Sequence, residues 1–594
     1  GGTFQNDAVL RAMEQYAGRK VIRAPYAGLM GAIGSALTAK ECAAKEGFVK
    51  SFIDYETLKN FTFTQEANSP CPYCTNHCNR TILSFSTGDS WVTNNRCEKG
   101  EVIGDPKDDD IREKIKALNN RTDKPVNMFE IRSKLQFQNY EYELVDKEKE
   151  ITIGLPRVLM FWEGMPFWST FWRSLGYKIK ISPISTREMY DNGLHAVPSD
   201  TECFPAKLVH GHVRALVGMG VDRIFMPIIS VYPPENTEET SFSRCALVKG
   251  YPIVIKNSDD PYKQFGVKYD APYFFWYTED DREHQLCEYM KSEFGISKEK
   301  CRKAIMYAAA AQNKFNTELK AAGSKLIKEV EEKNGYAVVM AARPYQADPL
   351  VNHELPELFV NMGVPVLTVD SIEESNTIDL SKSRLDIVNN FHARVISGSM
   401  IAAKSKNLEM VQIVSFGCGH DACLSDEAVR IMKEVSGKAP LILKVDESDA
   451  QGPLRIRVRS FIETIERKRN KENELKVRPI SDPYAVKFTK QDIKDRVVLV
   501  PNSSHAFSQV MSAAFKTQGI KAIPLEVGRE EAIRLGKKYT HNDICFPAQI
   551  VIGEALAALE SGKYDRNHVA IAMAKYICCC RLTHYATVLR KALD

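Results

Sequence analysis

Residues 157–182 read RVLMFWEGMPFWSTFWRSLGYKIKIS, in which an apolar run, a helical pattern and a second apolar run follow one another. RVLMF predicts a buried strand, PFWSTFWRSLGY an amphipathic helix and KIKIS a second strand. The run VDRIFMPII at 221–229 predicts a third strand. Strands that alternate with helices favour a parallel, doubly wound sheet. The sequence therefore predicts an α/β fold.

The same pattern opens twice more along the chain, with YAVVMAARPYQADP at 336–349 and RVVLVPNSSHAF at 496–507. The first and third segments also share a second stretch, CFPAKLVHGHVRAL from Cys203 and CFPAQIVIGEALAAL from Cys545. Arg157 lies 46 residues before Cys203, and Arg496 lies 49 residues before Cys545. We expect several Rossmann-like domains with parallel sheets, two of which are copies of one cysteine-bearing unit.

Length and composition limit the class of protein. A chain of 594 residues is too long for one core and predicts three or four domains. The formal charge of +4 is close to balance and predicts neither nucleic-acid nor membrane binding. We find no apolar run of about 18 residues and no signal-peptide pattern, which predicts a cytoplasmic protein. The opening GGTFQNDAVL reads like the interior of a domain, so we expect a fragment of a longer polypeptide.

The fifteen cysteines are clustered, which in an α/β protein favours metal binding or redox chemistry over disulfides. Cys203 and Cys545 each precede Phe-Pro-Ala, and the proline fits the first turn of a helix. Free backbone N–H groups and the positive end of the helix dipole would stabilise a thiolate there. A buried cysteine that acts only as a small apolar residue is the alternative. The recurrence of the motif favours the functional interpretation.

Further cysteines extend the two copies. Cys245 follows Cys203 by 42 residues, and Cys580 follows Cys545 by 35. Cys418 lies in VSFGCGHDAC, where a strand leads into a glycine-flanked turn that can present sulfur to an inorganic cluster. Ligands of open α/β sheets bind beyond the carboxyl ends of the strands, so we expect Cys203, Cys245 and Cys418 in one cleft. Three thiolates would leave one iron of a [4Fe-4S] cube with an open position.

Four cysteines near the N-terminus, Cys71, Cys74, Cys78 and Cys97, have the spacing C-x2-C-x3-C-x18-C. Four thiolates can ligate zinc or an iron–sulfur cluster, and spacing alone leaves both open, beside unliganded thiols.

Three adjacent cysteines occur in YICCCRLTH, and adjacent side chains cannot all face one point. We predict Cys580 as the ligand, with Cys578 and Cys579 as bystanders that could assist. Cys287, Cys301 and Cys423 are predicted to be structural.

Two residues are candidate catalytic groups. Lys207 lies one helical turn after Cys203 and is expected to face the same cleft, and His210 is a candidate proton donor. His212, His353, His420 and His505 are weaker candidates for proton delivery. A single histidine is more often a core or surface residue.

Several stretches resemble the large acyl-CoA dehydratase activase-related proteins: CFPAKLVHGH, ARPYQADPLVNHELPELF, SFGCGHDAC, NDICFPA and CCCRLTHY. Those proteins fuse activator-type ATPase modules to a region similar to 2-hydroxyacyl-CoA dehydratase subunits and double-cubane cluster proteins. GGTFQNDAVLRAMEQYAGRKVIRAPYAGLMGAIGSAL resembles the last segment of the activator ATPase, where a turn formed here by Gly1 and Gly2 would lie near the adenosine.

The resemblance implies a double-cubane [8Fe-9S] cluster or separate [4Fe-4S] clusters. It assigns Cys203, Cys245 and Cys418 to one cube and Cys545 and Cys580 to the other. In the family a third ligand of the second cube lies in a further F-G-C turn beyond the position of Asp594, so this second site is expected to be incomplete unless Cys578 or Cys579 substitutes.

Composition shifts and the resemblance together predict six segments. Residues 1–45 would be a C-terminal remnant of an activator-type ATPase domain, 46–105 a Cys-rich cluster-binding segment and 106–150 a charged connector. The three α/β domains are expected at 151–335, 336–470 and 471–594, the last a repeat of the first.

The resemblance implies an iron–sulfur oxidoreductase that receives low-potential electrons from an ATP-dependent activator, fused or separate, and reduces a small molecule. Ferredoxin or flavodoxin would supply the electrons, and the N-terminal cysteines would hold an additional [4Fe-4S] relay cluster. The chain has no G-x-x-x-x-G-K-[ST] motif, so ATP is expected to act through the activator module. Two alternatives stay open: a 2-hydroxyacyl-CoA dehydratase component with separate [4Fe-4S] clusters, and a non-enzymatic scaffold stapled by metal.

Overall fold

The computed structural model describes residues 5–44, 54–73, 78–93, 95, 98–119, 124–448, 451–470, 475–577 and 580–594. Gly1, Gly2, Cys74, Cys97, Cys578 and Cys579, all named in the sequence predictions, lie outside these residues. The chain divides into two compact units. The small unit is Gly1–Asn95 with Lys99–Ile111, and the large unit is Arg96–Glu98 with Arg112–Asp594.

The small unit contains a three-stranded antiparallel sheet with the strand order Phe63–Pro70, Asn79–Phe85 and Ser90–Thr93. The first two strands form an antiparallel hairpin, with Cys71 directly after the first strand and Cys78 directly before the second. The described helices and 3-10 turns around it are Asp7–Ala17, Ala27–Leu29, Met30–Ala43, Tyr55–Lys59 and Glu98–Glu101. The boundary between the units falls within the helix Asp109–Asn119.

The first parallel sheet of the large unit has the order Lys178–Ile181, Thr152–Leu155, Arg223–Phe225 and Lys268–Asp270. A separate two-stranded parallel sheet pairs Ile228–Val231 with Tyr273–Phe275. The helices of this region are Met128–Phe137, Phe161–Ser174, Arg187–Leu194, Phe204–Gly218, Ala246–Ser258, Pro261–Phe265, Glu279–Phe294 and Lys298–Glu332.

The second parallel sheet has the order Val366–Thr368, Ala337–Ala341, Leu408–Ser415 and Leu441–Val445. Its strands are almost wholly buried, as expected for a sheet with helices on both faces. The helices and 3-10 turns are Pro344–Ala347, Pro349–Asn352, Leu355–Asn361, Val369–Ser371, Glu373–Asn376, Asn390–Lys404, Gly419–Ser436 and Gln451–Arg469.

The third parallel sheet has the order Ala522–Pro524, Val497–Val500 and Val569–Ile571. Its helices and 3-10 turns are Asp492–Asp495, His505–Thr517, Glu530–Tyr539, Phe546–Glu560, Arg566–His568, Arg581–His584 and Tyr585–Leu593. In all three sheets the first strand in sequence pairs with the second on one side and the third on the other. The predicted α/β class with several doubly wound parallel sheets is confirmed.

Two strand predictions were wrong. RVLMF is not a strand, because the strand is Thr152–Leu155 and ends before Pro156, which has no N–H for the ladder. The residues after Pro156 instead lead into the helix Phe161–Ser174, most of whose residues are buried. The predicted strand 221–229 is two strands, Arg223–Phe225 and Ile228–Val231, which belong to different sheets.

Two hydrophobic clusters join the sheets of the large unit. One contains Trp162, Trp168 and Trp172 and extends from the first sheet to Val338 and Met340 of the second. The other extends from the second sheet to residues of the third segment, which include Leu535, Ile544, Val551, Ile552 and Val588. The cores are continuous, so helices that follow different sheets are held at fixed positions.

The duplicated units share a close helix crossing. A Cβ atom on Gly211 would lie 2.1 Å from the carbonyl oxygen of Met189, in the preceding helix. A Cβ atom on Gly553 would lie 1.7 Å from the carbonyl oxygen of Ala532, again in the preceding helix. Only glycine permits this approach. The crossing explains why both copies of the C-F-P-A motif have glycine eight residues after the cysteine.

Candidate metal centre

Five candidate cysteines occupy the same local position, the N-cap of a helix. Cys203 precedes Phe204–Gly218 and Cys545 precedes Phe546–Glu560, with nearly identical backbone angles of φ −68°, ψ 149° and φ −63°, ψ 148°. The remaining three are Cys245, Cys418 and Cys580, the last before the 3-10 turn Arg581–His584. The predicted helix start at Cys203 and Cys545 is confirmed, and the N-cap position exposes each sulfur to free backbone N–H groups.

The turn before Cys418 has the predicted form. The strand Leu408–Ser415 ends two residues before it, and Gly417 adopts φ 78°, in the left-handed region that favours glycine. This turn directs the chain from the carboxyl edge of the second sheet into the helix Gly419–Ser436.

Cys203, Cys245 and Cys418 lie within electrostatic range of one another. Burial, followed by the neighbouring Cys245 and Cys418, raises the pKa of Cys203 to about 12, against the opposing effect of the Ala206 amide. Burial also raises the pKa of Cys418 to about 12, while Arg343 acts in the opposite direction. A buried thiol with two partly buried thiols near it matches a site in which a metal replaces the protons.

A buried ion pair borders the three thiols. Both terminal nitrogens of Arg343 bind Asp421, each at 2.7 Å, and both side chains are buried. Burial lowers the pKa of Arg343, but Asp421 and then Cys418 more than offset this and leave that pKa well above the ordinary value. Arg343 therefore remains a fixed positive charge beside sulfur.

All three cysteines influence the pKa of Tyr345 electrostatically. Burial raises its pKa well above the ordinary value, and Cys245, Cys203 and Cys418 raise it further. The phenol stays neutral and can donate a hydrogen bond towards this space.

Cys545 and Cys580 form a second group. The sulfur of Cys545 lies 3.0 Å from the hydroxyl of Tyr585. Burial, this hydrogen bond and the charges of Cys545 and Cys580 raise the pKa of Tyr585. Tyr585 in the second group thus corresponds to Tyr345 in the first.

The two groups meet where the second and third segments touch. A Cβ atom on Gly419 would lie 2.1 Å from Nη1 of Arg581, so the residues next to Cys418 and Cys580 are in contact. Cys423 provides a second link: burial raises its pKa to about 12, and both Cys545 and Cys418 contribute to that shift. Cys423 is a buried helical residue within electrostatic range of Cys545 and Cys418.

Lys207 and His210 both lie on the helix Phe204–Gly218, and both are buried. The ammonium group of Lys207 is 2.9 Å from Glu447 Oε1. Burial lowers the pKa of Lys207, but the hydrogen bond and charge of Glu447 leave it raised, so the side chain is a cation. His210 Nδ1 is 3.1 Å from Asp259 Oδ2, and in the described part of the chain its Nε2 has no hydrogen-bond partner.

The other candidate histidines have different surroundings. His212 lies between the hydroxyls of Ser182 and Ser185, and burial lowers its pKa to about 3. His353 Nε2 is 2.8 Å from the carbonyl oxygen of Asp446. His505 is exposed at the start of the helix His505–Thr517.

In the small unit, the hairpin loop brings Cys71 and Cys78 together. The Cys71 amide donates a hydrogen bond of 2.9 Å to the carbonyl oxygen of Cys78. Cys74 and Cys97 lie outside the described residues, so the four-cysteine site remains a prediction.

Sequence reasoning missed the polar groups around the sulfurs. Arg343 and Tyr345 lie in the quoted stretch ARPYQADP and Asp421 in SFGCGHDAC, but no spacing rule indicated that they face the cysteines. The hydroxyl of Tyr251 donates a hydrogen bond of 2.6 Å to Glu202. Burial is the main cause that raises the pKa of Tyr251, and the charge of Cys203 also raises it. Only the folded arrangement identifies these neighbours.

The fold and site define an α/β protein in which helix N-termini bring thiols together. Residues 152–372, a little over a third of the chain, match the family described as CoA enzyme activase uncharacterised domain. The match supports the resemblance to activase-related proteins and links this part of the chain to a CoA enzyme activase system. No curated protein shows significant similarity to the chain. In the described part of the chain, no helix is both long enough and apolar enough to cross a membrane.

Proposed function

We propose that the chain is an iron–sulfur reductase module that accepts low-potential electrons from an ATP-dependent activator and reduces a small substrate. The observation that carries this proposal is the meeting of two groups of N-cap thiols. Cys203, Cys245 and Cys418 form the first group, and Cys545 and Cys580 form the second. Contact between Gly419 and Arg581 brings them together.

The donor set fits an iron–sulfur cluster better than a zinc ion alone. Five thiols in two adjoining groups exceed the four ligands of a zinc site and match the sulfur ligation of cubane clusters. The first group would hold one cube and the second group the other, in a bridged double-cubane cluster. When bound, such a cluster stores and transfers electrons at low potential.

The protein groups around the thiols would tune this centre. Arg343, held by Asp421, places positive charge beside Cys418. The amide of Ala206, which donates to the carbonyl oxygen of Cys203, acts to lower the pKa of that thiol, and the hydroxyl of Tyr585 lies 3.0 Å from the sulfur of Cys545. Charge, hydrogen bonds to sulfur and burial are the factors that set cluster potential.

Proton supply is the proposed role of His210. Its Nδ1 is fixed by Asp259, which leaves Nε2 as the nitrogen that carries or releases a proton. The Tyr251 ring packs edge-on against His210, with 5.7 Å between the ring centroids. Cys203 also raises the pKa of Tyr251, so Tyr251 is near both residues. Lys207, paired with Glu447, would supply fixed positive charge rather than act as a base.

The N-terminal cysteines would hold an additional [4Fe-4S] cluster that relays electrons. Nucleotide would act through the activator, with ferredoxin or flavodoxin as the electron donor. We propose a cytoplasmic location on the sequence grounds given above.

Iron and sulfide analysis of the anaerobically purified chain tests the proposal. We expect about eight or more irons per chain, with sulfide, and an EPR signal after dithionite reduction. Cys203→Ala and Cys545→Ala should each lower the iron content. Cys287→Ala is the control, since Cys287 is a buried cysteine whose sulfur lies 3.9 Å from the carbonyl oxygen of Lys298. Zinc in a colourless protein, or unchanged iron in both site variants, would overturn the proposal in favour of the metal-stapled scaffold.

EPR of the same variants separates a bridged cluster from the separate clusters of a dehydratase component. In a bridged cluster, Cys545→Ala should alter the signal of the whole centre. In separate clusters, it should leave the signal of the first cube intact.

One charged cavity of the large unit gives no support to the dehydratase alternative. This cavity has a volume of about 640 Å³. The basic residues that line it are Arg132, Arg282, Lys320 and Arg394. Each of them is paired with a carboxylate: Asp370, Glu279, Glu373 and Glu163, respectively. Since these charges are already balanced, the cavity offers little attraction to the phosphates of CoA.

A further inference from the structure

Three histidines from three different elements form a compact cluster. Ring nitrogens of His392, His420 and His584 all lie within 4.8 Å of one another. The ring centroids are 4.9, 5.5 and 5.6 Å apart. His392 lies in the first turn of the helix Asn390–Lys404, His420 in the first turn of Gly419–Ser436, and His584 directly before Tyr585–Leu593.

Two of these imidazoles are buried and have ring nitrogens without a hydrogen-bond partner among the described residues. His392 is 2% exposed and His584 is 0% exposed. Among the residues that the structure describes, neither ring nitrogen of His584 has a hydrogen-bond partner, and Nδ1 of His392 has none. Burying polar groups in this way costs free energy unless a ligand compensates. Simple packing of three aromatic rings would leave that cost unbalanced.

We infer that His392, His420 and His584 bind one divalent transition-metal ion of the zinc class, separate from the cysteine-ligated centre. Imidazole nitrogen is a preferred ligand of Zn²⁺ and of Fe²⁺. Three protein ligands leave a fourth tetrahedral position for water or a small molecule, as in open zinc sites. Such an ion would bind one nitrogen of each ring and so offset part of the cost of burying these nitrogens.

The histidine cluster lies beside the proposed redox centre. His420 lies two residues after Cys418, and His584 lies four residues after Cys580. The Gly419–Arg581 contact lies within the same two stretches. A metal there would have a nitrogen-only ligand set, which distinguishes it from any ion held by thiols.

Zinc binding to the full chain tests the inference. The chain is stripped with a chelator, loaded with Zn²⁺ against a competing chelator and examined by zinc X-ray absorption. Thiol-bound zinc gives Zn–S distances of about 2.3 Å, whereas the histidine site gives Zn–N distances of about 2.0–2.1 Å. We expect one zinc per chain with nitrogen and oxygen ligands alone, in addition to any sulfur-bound zinc.

Variants assign that zinc to the cluster. His392→Gln and His584→Gln should each weaken the nitrogen-ligated site by at least about a hundredfold, because loss of a direct ligand exceeds the effect of outer partners. His568→Gln is the control, since His568 is exposed and pairs with Asp565. Near-UV circular dichroism checks that each variant is folded.

The inference is overturned if the wild-type chain binds no zinc whose ligands are nitrogen and oxygen without sulfur. It is also overturned if both folded histidine variants keep that zinc. If a variant does not fold, the wild-type absorption spectrum still decides. Iron and sulfide content, measured in parallel, reports on the reductase proposal independently of either result.

Discussion

At Cys203, burial and backbone geometry act on one sulfur in opposite directions. Burial and the neighbouring thiols disfavour the thiolate, while the Ala206 amide and Arg343 favour it. Neither effect alone identifies a function, since buried cysteines are common and helix N-caps are common. The combination at a site shared with two further thiols supports the proposed metal-binding role, because a metal would supply the charge that burial otherwise penalises.

Glu357 is a residue whose ionisation should weaken the fold. It lies in the helix Leu355–Asn361, and one carboxylate oxygen accepts from Asn127 at 3.3 Å while the other is buried without a hydrogen-bond partner in the described part of the chain. Burial is the main cause that raises its pKa to about 7. The folded state therefore binds a proton more tightly than the unfolded state, and stability falls as pH rises from about 4.5 to about 7.

Glu357→Gln should remove this pH dependence. At pH 8 we expect the variant to be more stable than the wild type by about 1–3 kcal/mol, and at pH 5 most of this difference should vanish. Urea unfolding at both pH values measures it. The exposed Glu331→Gln serves as the control, with changes within about 0.5 kcal/mol. A Gln variant that is less stable at pH 8 would contradict the assignment.

Among the elements, the paired helices before and after each C-F-P-A cysteine determine where the sulfur lies. In each copy the two helices cross at glycine, at Gly211 and at Gly553. Backbone contact replaces side-chain packing at the crossing, so the cysteine helix cannot slide without a clash. The shared glycine is thus a packing requirement of the duplicated unit.

Gly211→Ala should destabilise the chain by about 2–3 kcal/mol. The added methyl group would meet the carbonyl oxygen of Met189, which is held within its own helix and cannot move away. Thermal or urea unfolding of the variant measures the loss. Gly218→Ala, in the same helix but with open space around it, should be neutral or stabilising by up to about 1 kcal/mol. Equal effects of the two substitutions would show that helix propensity, not the crossing, governs the first site.

For the large unit as a whole, the candidate thiols lie at helix starts, and Gly419 contacts Arg581 beside two of them, Cys418 and Cys580. A cluster bound to both groups would cross-link the second and third segments. Cluster binding would then contribute to stability, because the unfolded chain cannot present the same ligands.

Removal of iron should therefore lower the unfolding temperature. We expect the chelated chain to melt roughly 5 °C or more below the iron-loaded chain, with a less cooperative transition. Differential scanning calorimetry under anaerobic conditions measures both quantities. Cys287→Ala should show the same difference between iron-loaded and iron-free states, whereas a Cys203→Ala, Cys545→Ala double variant should show little. Coincident transitions of the two wild-type states would contradict the cross-link.

The sequence by itself determined the α/β class, the repetition of strand and helix, and the helix starts at Cys203 and Cys545. These depend on local periodicity and on proline and glycine positions, which act over a few residues. The sequence did not determine the true first strand, Thr152–Leu155, since apolar composition alone does not distinguish a strand from the start of a buried helix. Tertiary structure alone brought Arg343, Tyr345 and Asp421 to the thiols and assembled His392, His420 and His584. Those contacts join residues far apart in the chain, and only the packing of separate sheets fixes their distances.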